Sequence, residues 1–342
     1  MNNKILLTFD YELYFGENYY NEDIVLFQPT EKLLNTLKNK NIEAVFFIDI
    51  CSIIAYRKNN KLEYIKKFEE QIQKMKILNH DIQMHFHPHW INSIYDNGTN
   101  KWIFDISNYS YSNLIDNYGI DRANELFIES HNIFIEIVGY SPTVFRAGGY
   151  SIQPYEKELI LLLKNLNYKI DSSVLPYRKY ISKAQYFNFL SCENKNLWTI
   201  SSNSFLEAGK LSLYEIPVLS VRKEWTNIFY YAFLRLVNKI IPDKSFDRRG
   251  KGTTMELLEY KNSALTIGFD MVSNKDKKII KFITKKYLNK FKNENEIYLN
   301  ILSHPKAIFS ESLDVIEWYI KYMKETYNSK FITFNEIDKL NE

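Results

Sequence analysis

Cysteine is scarce in this chain. Only Cys51 and Cys192 occur in 342 residues, far apart and without Cys-x-x-Cys spacing, which speaks against a disulfide framework and for free thiols in a reducing compartment. No stretch offers the roughly 18 uninterrupted apolar residues of a membrane span. The opening MNNKILLTFDYE enters an apolar strand pattern at once and meets acid by Asp10. It lacks the charged n-region, apolar h-region and small-residue cleavage site of a secretory signal, so a cytoplasmic protein is expected. Charge of one sign is also missing. A net +3 from 44 basic and 41 acidic residues is too balanced to argue for nucleic acid. With no internal repeat and no Gly/Ser-rich linker, one domain over residues 1–342 is expected, with insertions at about 91–118 and 176–262.

What is present is core material, at 45% hydrophobic and 16% aromatic residues. Lys4–Phe9, Ala44–Ile48, Asp81–His85, Thr143–Arg146, Tyr168–Asp171, Leu213–Val218, Ala264–Phe269 and Ile297–Leu302 read as strands. A short strand at Phe331–Thr333 follows. Helices are expected from Pro29 to Lys40 with Thr30 as N-cap, and over 62–77, 121–138, 156–166, 275–291 and 310–327. Alternating strands and helices are the mark of a parallel α/β architecture.

Histidine is concentrated. Four of the six histidines lie in HDIQMHFHPHW: His80, His85, His87 and His89. Imidazole is a common zinc ligand, so the cluster suggests a metal site. In an extended chain His85 and His89 would stand ~13 Å apart, too far to share an ion. If the chain coils after His85, as Pro88 encourages, an i,i+4 pair comes to roughly 5–6 Å and can chelate. The competing pair, His85 and His87, shares a face only if the strand runs on past Phe86. Polar residues also follow apolar strands elsewhere, at Asp10 and Glu12, His85, Arg146, Asp171 and His304. In a (β/α) barrel such strand ends share the face where active sites are built.

These residues together resemble the NodB-homology polysaccharide deacetylases, a carbohydrate esterase family 4-like group. TFDYE (Thr8–Glu12), HFHPH (His85–His89), FRAGGY (Phe145–Tyr150), YKIDSSV (Tyr168–Val174) and ILSHP (Ile301–Pro305) are similar to that family's motifs, in its order. AVFFI matches its usual second strand. The resemblance implies a distorted (β/α) barrel of about seven parallel strands, with one divalent ion, zinc or else cobalt or nickel, held by two histidines and a carboxylate. A second carboxylate acts as base and a histidine as acid. The family's commoner paired aspartates are replaced by Asp10 and Glu12, which lie on one side of a strand. Carried over, Glu12, His85 and His89 are the metal ligands and Asp10 the base, the two carboxylates being exchangeable. His304 is the acid, Arg146 orients Asp10, and Asp171 fixes His304 or Arg146.

The implied reaction is hydrolysis of an N-acetyl group from an amino sugar or glycan. Tyr150, Trp90 and His87 are candidate sugar contacts. The alternatives are hydrolysis of another C–N amide, as in allantoinase-like relatives, and an inactive glycan-binding barrel. Singly the residues have blander readings: Asp171 as a turn cap, His304 as a structural hydrogen-bonder, Tyr150 and Trp90 as packing. The segment Trp225–Ile241 is aromatic and apolar between basic flanks that include Lys244. It is too charged to span a bilayer, but suited either to lie on one or to pack on the barrel.

Overall fold

Ten residues in a row, nearly all buried, need a partner on both faces, and that is what the first strand finds. The computed structural model describes residues 2–240, 248–253 and 255–337. Its strand β1 (Asn2–Tyr11) is buried from Asn3 onward. Next come β2 (Val45–Asp49), β3 (Asp81–Phe86), β4 (Val144–Ala147), β5 (Ile170–Asp171), β6 (Tyr214–Glu215) and β7 (Glu296–Ser303). They lie in the order β6-β5-β4-β3-β2-β1-β7, every neighbouring pair parallel. Trp198–Thr199 adds an antiparallel edge to β6, and Lys330–Phe331 runs parallel to β1. The edges of the curl meet where Leu219 N–H donates to the Asn300 carbonyl (2.7 Å) and Asn300 Nδ2 to the Ile216 carbonyl (2.9 Å). The result is a distorted (β/α) barrel.

Helices α1 (Gln28–Asn39), α2 (Ile50–Lys58), α3 (Leu62–Ile77), α4 (Tyr111–Tyr118), α5 (Ile120–Val138), α6 (Glu156–Asn165), α7 (Trp225–Ile240), α8 (Lys277–Lys290) and α9 (Ser310–Tyr327) surround the sheet or its excursions. Helix α3 is representative: Tyr64, Ile65, Phe68, Ile72 and Met75 form its buried stripe, each such side chain contributing about 1.5–3 kcal/mol. Helix α1 departs from expectation at its start. Residues Asp23–Phe27 already turn, so Thr30 lies inside the coil and its hydroxyl donates to the Leu26 carbonyl (2.7 Å) instead of capping. Helix α2 follows β2 directly and was not expected, because its apolar residues cover every side and leave no amphipathic period.

The excursions stand at the carboxyl ends of the strands. Residues 91–118 hold the hairpin Ile94–Asp96/Lys101–Ile103 and α4. Residues 176–262 are not one insertion: they return to the barrel as β6, and otherwise hold α7 and a small antiparallel sheet of Arg178–Ser182, Tyr186–Asn188 and Leu257–Asn262. Gly250–Lys251 pairs with Glu17–Asn18, just beyond the end of β1. Ile241 and Lys244 lie outside the described residues. Among the described residues no helix is long and apolar enough to cross a membrane, and Cys51 and Cys192 are free.

Candidate active site

Parallel register brings the site together. His85 pairs with Asp49 on one side and Arg146 on the other, and Asp10 with Phe47. Side chains two apart on a strand share a face, so Asp10 and Glu12 both enter the barrel mouth, as the sequence suggested.

Glu12 is the hub. Its Oε2 lies 3.0 Å from His85 Nε2 and 2.9 Å from His87 Nε2, while the two imidazole nitrogens are 3.0 Å apart. Its Oε1 accepts from Lys306 Nζ at 2.7 Å. Burial pushes the Glu12 carboxyl up, but Lys306 and His87 outweigh it and hold the group well below the usual carboxylate range. Asp10 Oδ1 accepts from Arg146 Nη1 at 2.7 Å, and its Oδ2 faces His85 Nε2 at 3.7 Å and His304 Nε2 at 3.9 Å. Here too burial raises the carboxyl, and Arg146, His85 and His304 together bring it below its ordinary value.

Arg146 is fully buried yet well supplied with acceptors. Besides Asp10 it donates to Thr8 Oγ1 (3.1 Å), the Ser172 carbonyl (3.0 Å) and Ser172 Oγ (2.9 Å), and its guanidinium lies 3.9 Å from the Phe47 ring centroid. A planar five-donor fork suits such a site better than an ammonium. The Asp10 contact is the one that the expected orienting role would need.

His304 Nδ1 lies 2.6 Å from Asp270 Oδ2, and its backbone N–H donates to Asp270 Oδ1 at 2.7 Å. Burial lowers the imidazole, but Asp270 raises it further, so the net direction is up. Asp171, expected to fix His304 or Arg146, makes neither contact. Its carboxylate accepts from Ser173 N–H (2.9 Å) and Ser173 Oγ (2.8 Å), the turn-capping alternative. It also faces Glu215 on the next strand, and burial raises both carboxyls.

The histidine pair differs from the expected one. The chain does not coil after His85: His87 keeps an extended φ of −121°, and only Pro88–Trp90 forms a 3-10 turn. Extended spacing therefore holds through His87, which reaches Glu12 beside His85. His89 is carried away from the cluster, its ring 5.7 Å from Tyr109 and 4.6 Å from Phe15. Its two ring nitrogens are buried and make no hydrogen bond among the described residues. Trp90, a candidate sugar contact, is wholly buried against Tyr56, Trp102 and Phe104. Tyr150 stays half-buried at the mouth, packed on Phe187.

Glu12, His85 and His87 are a buried set of donors that could hold one metal ion. Donors bonded to one zinc-like ion at ~2.1 Å stand roughly 3.3 Å apart, close to the triangle observed. The ring chemistry agrees: His85 Nδ1 lies 2.9 Å from the Arg146 carbonyl, which only accepts, so a neutral ring protonated there turns a bare Nε2 to the cluster. Burial lowers His85, but Asp10 and Glu12 more than reverse it, to about 9. The negative field of Asp10 and Glu12 that raises His85 would also favour a cation beside that nitrogen.

Lys306, Asp270 and Asp49 went unnoticed in the sequence. Asp49 is buried at the end of β2, both oxygens without a hydrogen bond among the described residues. Asp49 and Asp270 each follow an apolar run, the same signal that exposed Asp10; Lys306 offered only its place two residues after His304.

Neither a scan of protein-family models nor a search of curated proteins gives a match. Solved structures do. A Mycobacterium smegmatis protein assigned as a polysaccharide deacetylase aligns over 98% of this chain and 88% of its own, at 13% identity and a TM-score of 0.50. The fold is that of the polysaccharide deacetylases. The Puue allantoinase aligns over 99% of this chain and 89% of its own (12% identity, TM-score 0.48). The peptidoglycan deacetylase PdaC from Bacillus subtilis aligns over 99% and 92% (13% identity, TM-score 0.39). At such identities the likeness is one of fold, and the deacetylase fold leaves the chemistry to be argued from the site.

Proposed function

We propose that this protein is a metal-dependent hydrolase that removes an N-acetyl group from an amino sugar within a glycan. The observation that carries the reading is the Glu12–His85–His87 triangle, with sides of 2.9–3.0 Å, facing Asp10 and His304 across one mouth. Glu12, His85 and His87 hold the ion, with zinc the choice because two imidazoles and one carboxylate leave positions open on it, as a catalytic site needs. When bound, such an ion supplies a Lewis acid that acidifies water and polarises an amide carbonyl.

The other groups divide the proton work. Asp10, kept ionised by Arg146, takes the proton of the attacking water at Oδ2, the oxygen turned from the guanidinium. Lys306 occupies Glu12 Oε1, which aims Oε2 at the two histidines. His304, its Nδ1–H tied to Asp270, carries a proton on Nε2 and delivers it to the departing amine. General acid–base transfer of this kind contributes about 10²–10⁴-fold. The amide and one water become acetate and a free amino sugar.

The test is acetate release from N-acetylated oligosaccharides beside a panel of small amides. Turnover of the sugars, abolished by chelation and restored by zinc, is the expected result. Turnover confined to the small amides would overturn the substrate class, and a glycan that binds without losing acetate would leave a binding barrel.

A further inference from the structure

Among the described residues, helix α7 is anchored on one side. Leu234 is buried and the Tyr230 ring lies 4.9 Å from Phe282 of α8. The opposite stripe is bare: Trp225, Phe229, Phe233 and Leu236 are 82%, 70%, 58% and 59% exposed. Their spacing of four, four and three residues puts them on one face. Leaving that much aromatic surface in water is unfavourable, and large exposed apolar patches mark interaction sites.

The chain that follows α7 reaches the mouth of the barrel. The segment that returns from α7 pairs Gly250–Lys251 with Glu17–Asn18, and Arg249 Nη1 donates to the carbonyls of Lys306 (3.1 Å) and Ile308 (3.0 Å), just past His304. At its start α7 is tied to the small sheet by Lys223 N–H donating to the Ser263 carbonyl (2.8 Å). That sheet carries an aromatic row outward from the mouth, with Tyr150–Phe187, Phe187–Tyr180 and Tyr180–Tyr260 ring centroids 5.7, 6.1 and 6.1 Å apart. Tyr260 and its neighbour Leu258 end the row in solvent.

Charge selects the occupant. Residues 222–262 carry nine Lys or Arg against five Asp or Glu, in a chain otherwise near balance, and α7 contains Arg235 and Lys239 but no acid. Sixteen residues span ~24 Å as a helix, short of the ~30 Å bilayer core, so α7 is too short to cross one. An apolar stripe bordered by cations is what an anionic lipid surface attracts. We propose that α7 and the 178–262 sheet dock this face on an anionic bilayer, which turns the mouth toward glycans carried on lipid. The substrate half of this proposal rests on the deacetylase reading; the docking half does not.

The experiment floats the full chain with vesicles of phosphatidylcholine alone, or of equal parts phosphatidylcholine and phosphatidylglycerol, at low and high salt. Binding is expected on the anionic vesicles only, and weaker in salt. Trp225→Ser/Phe229→Ser/Phe233→Ser should lower it by about tenfold per aromatic, with an unaltered circular-dichroism spectrum. Arg235→Glu/Lys261→Glu, which touches no apolar residue, should also lower it and flatten the salt dependence. Equal binding to both vesicle types, or full binding by the triple variant, overturns the proposal. So does a wild-type dimer that the triple variant splits while vesicles stay unbound, which would make the face a self-interface. Vesicle binding is read without substrate, and acetate release from a soluble acetylated sugar should be unchanged in both variants. Failure of docking and failure of the deacetylase reading are therefore separate results.

Discussion

Replacing Arg146 by methionine keeps the bulk of the side chain and removes every donor. In the protein those donors serve Asp10, Thr8 and Ser172, all buried. Removing one partner of a buried ion pair costs about 3–5 kcal/mol, because the remaining charge loses its compensation. Guanidinium unfolding of the metal-free protein near neutral pH should show a loss of that size. Asp10 then loses the largest of the charges that offset its burial, keeping only His85 and His304, so the acidic limb of the activity profile should move to higher pH. Asp10→Asn removes the stranded charge. The double variant should therefore be more stable than the sum of the single losses by about 1–3 kcal/mol, the coupling expected of contacting residues. A loss below about 1 kcal/mol in Arg146→Met, typical of an ordinary site, or strict additivity in the cycle, would refute this account of the pair.

Three further outcomes follow from contacts in and around the barrel. His80 Nδ1 accepts from Ala44 N–H (3.1 Å) and burial lowers its pKa to about 4. Unfolded chains then bind a proton that the folded state refuses between about pH 6.5 and 4, so stability falls on acidification through that window, by up to about 3 kcal/mol. His80→Asn should show a correspondingly shallower loss by urea titration at each pH, and an unchanged slope would contradict the assignment. Asp270 raises His304, so Asp270→Asn should let the imidazole lose its proton at lower pH. The basic limb of kcat should move down while metal affinity holds; a shift upward, or none, would break the pairing. A Cβ on Gly148 would come within 2.4 Å of His87 Nδ1 and 2.6 Å of the Phe86 carbonyl. Gly148→Ala should therefore displace His87 and weaken metal binding by about 10–100-fold by competition with a chelating dye, and undiminished affinity would argue against His87 as a ligand.

The barrel was legible because its strands are apolar on both faces and separated by amphipathic helices such as α3. Asp10, Glu12, His85, Arg146 and His304 were legible because each ends such a strand. The histidine partner was not, since it turned on one backbone angle: whether the chain coils at His87 or stays extended to it. Pro88 does end the strand, but too late to bring His89 back, and His89 enters an aromatic pocket instead. Trp90 was misplaced for a related reason, as aromatic residues in a chain this rich in them fill the core before they line a site. Asp270 and Lys306 contact His304 and Glu12 through the tertiary fold; Asp270 did follow an apolar run, but nothing local tied it to His304, and Lys306 offered only its place after His304. Asp171 was expected to fix His304 or Arg146, whereas the contact to His304 is made by Asp270; both aspartates follow apolar runs, and only the fold tells them apart.

The central claim is that Glu12, His85 and His87 form the metal centre, and bound-metal content tests it most directly. Elemental mass spectrometry of the zinc-supplied protein should find about one ion per chain, lost in His87→Ala and retained in His89→Phe, which keeps the aromatic packing against Phe15 and Tyr109. A wild-type chain without metal under zinc, cobalt and nickel, or an ion that survives His87→Ala and disappears in His89→Phe, would contradict it.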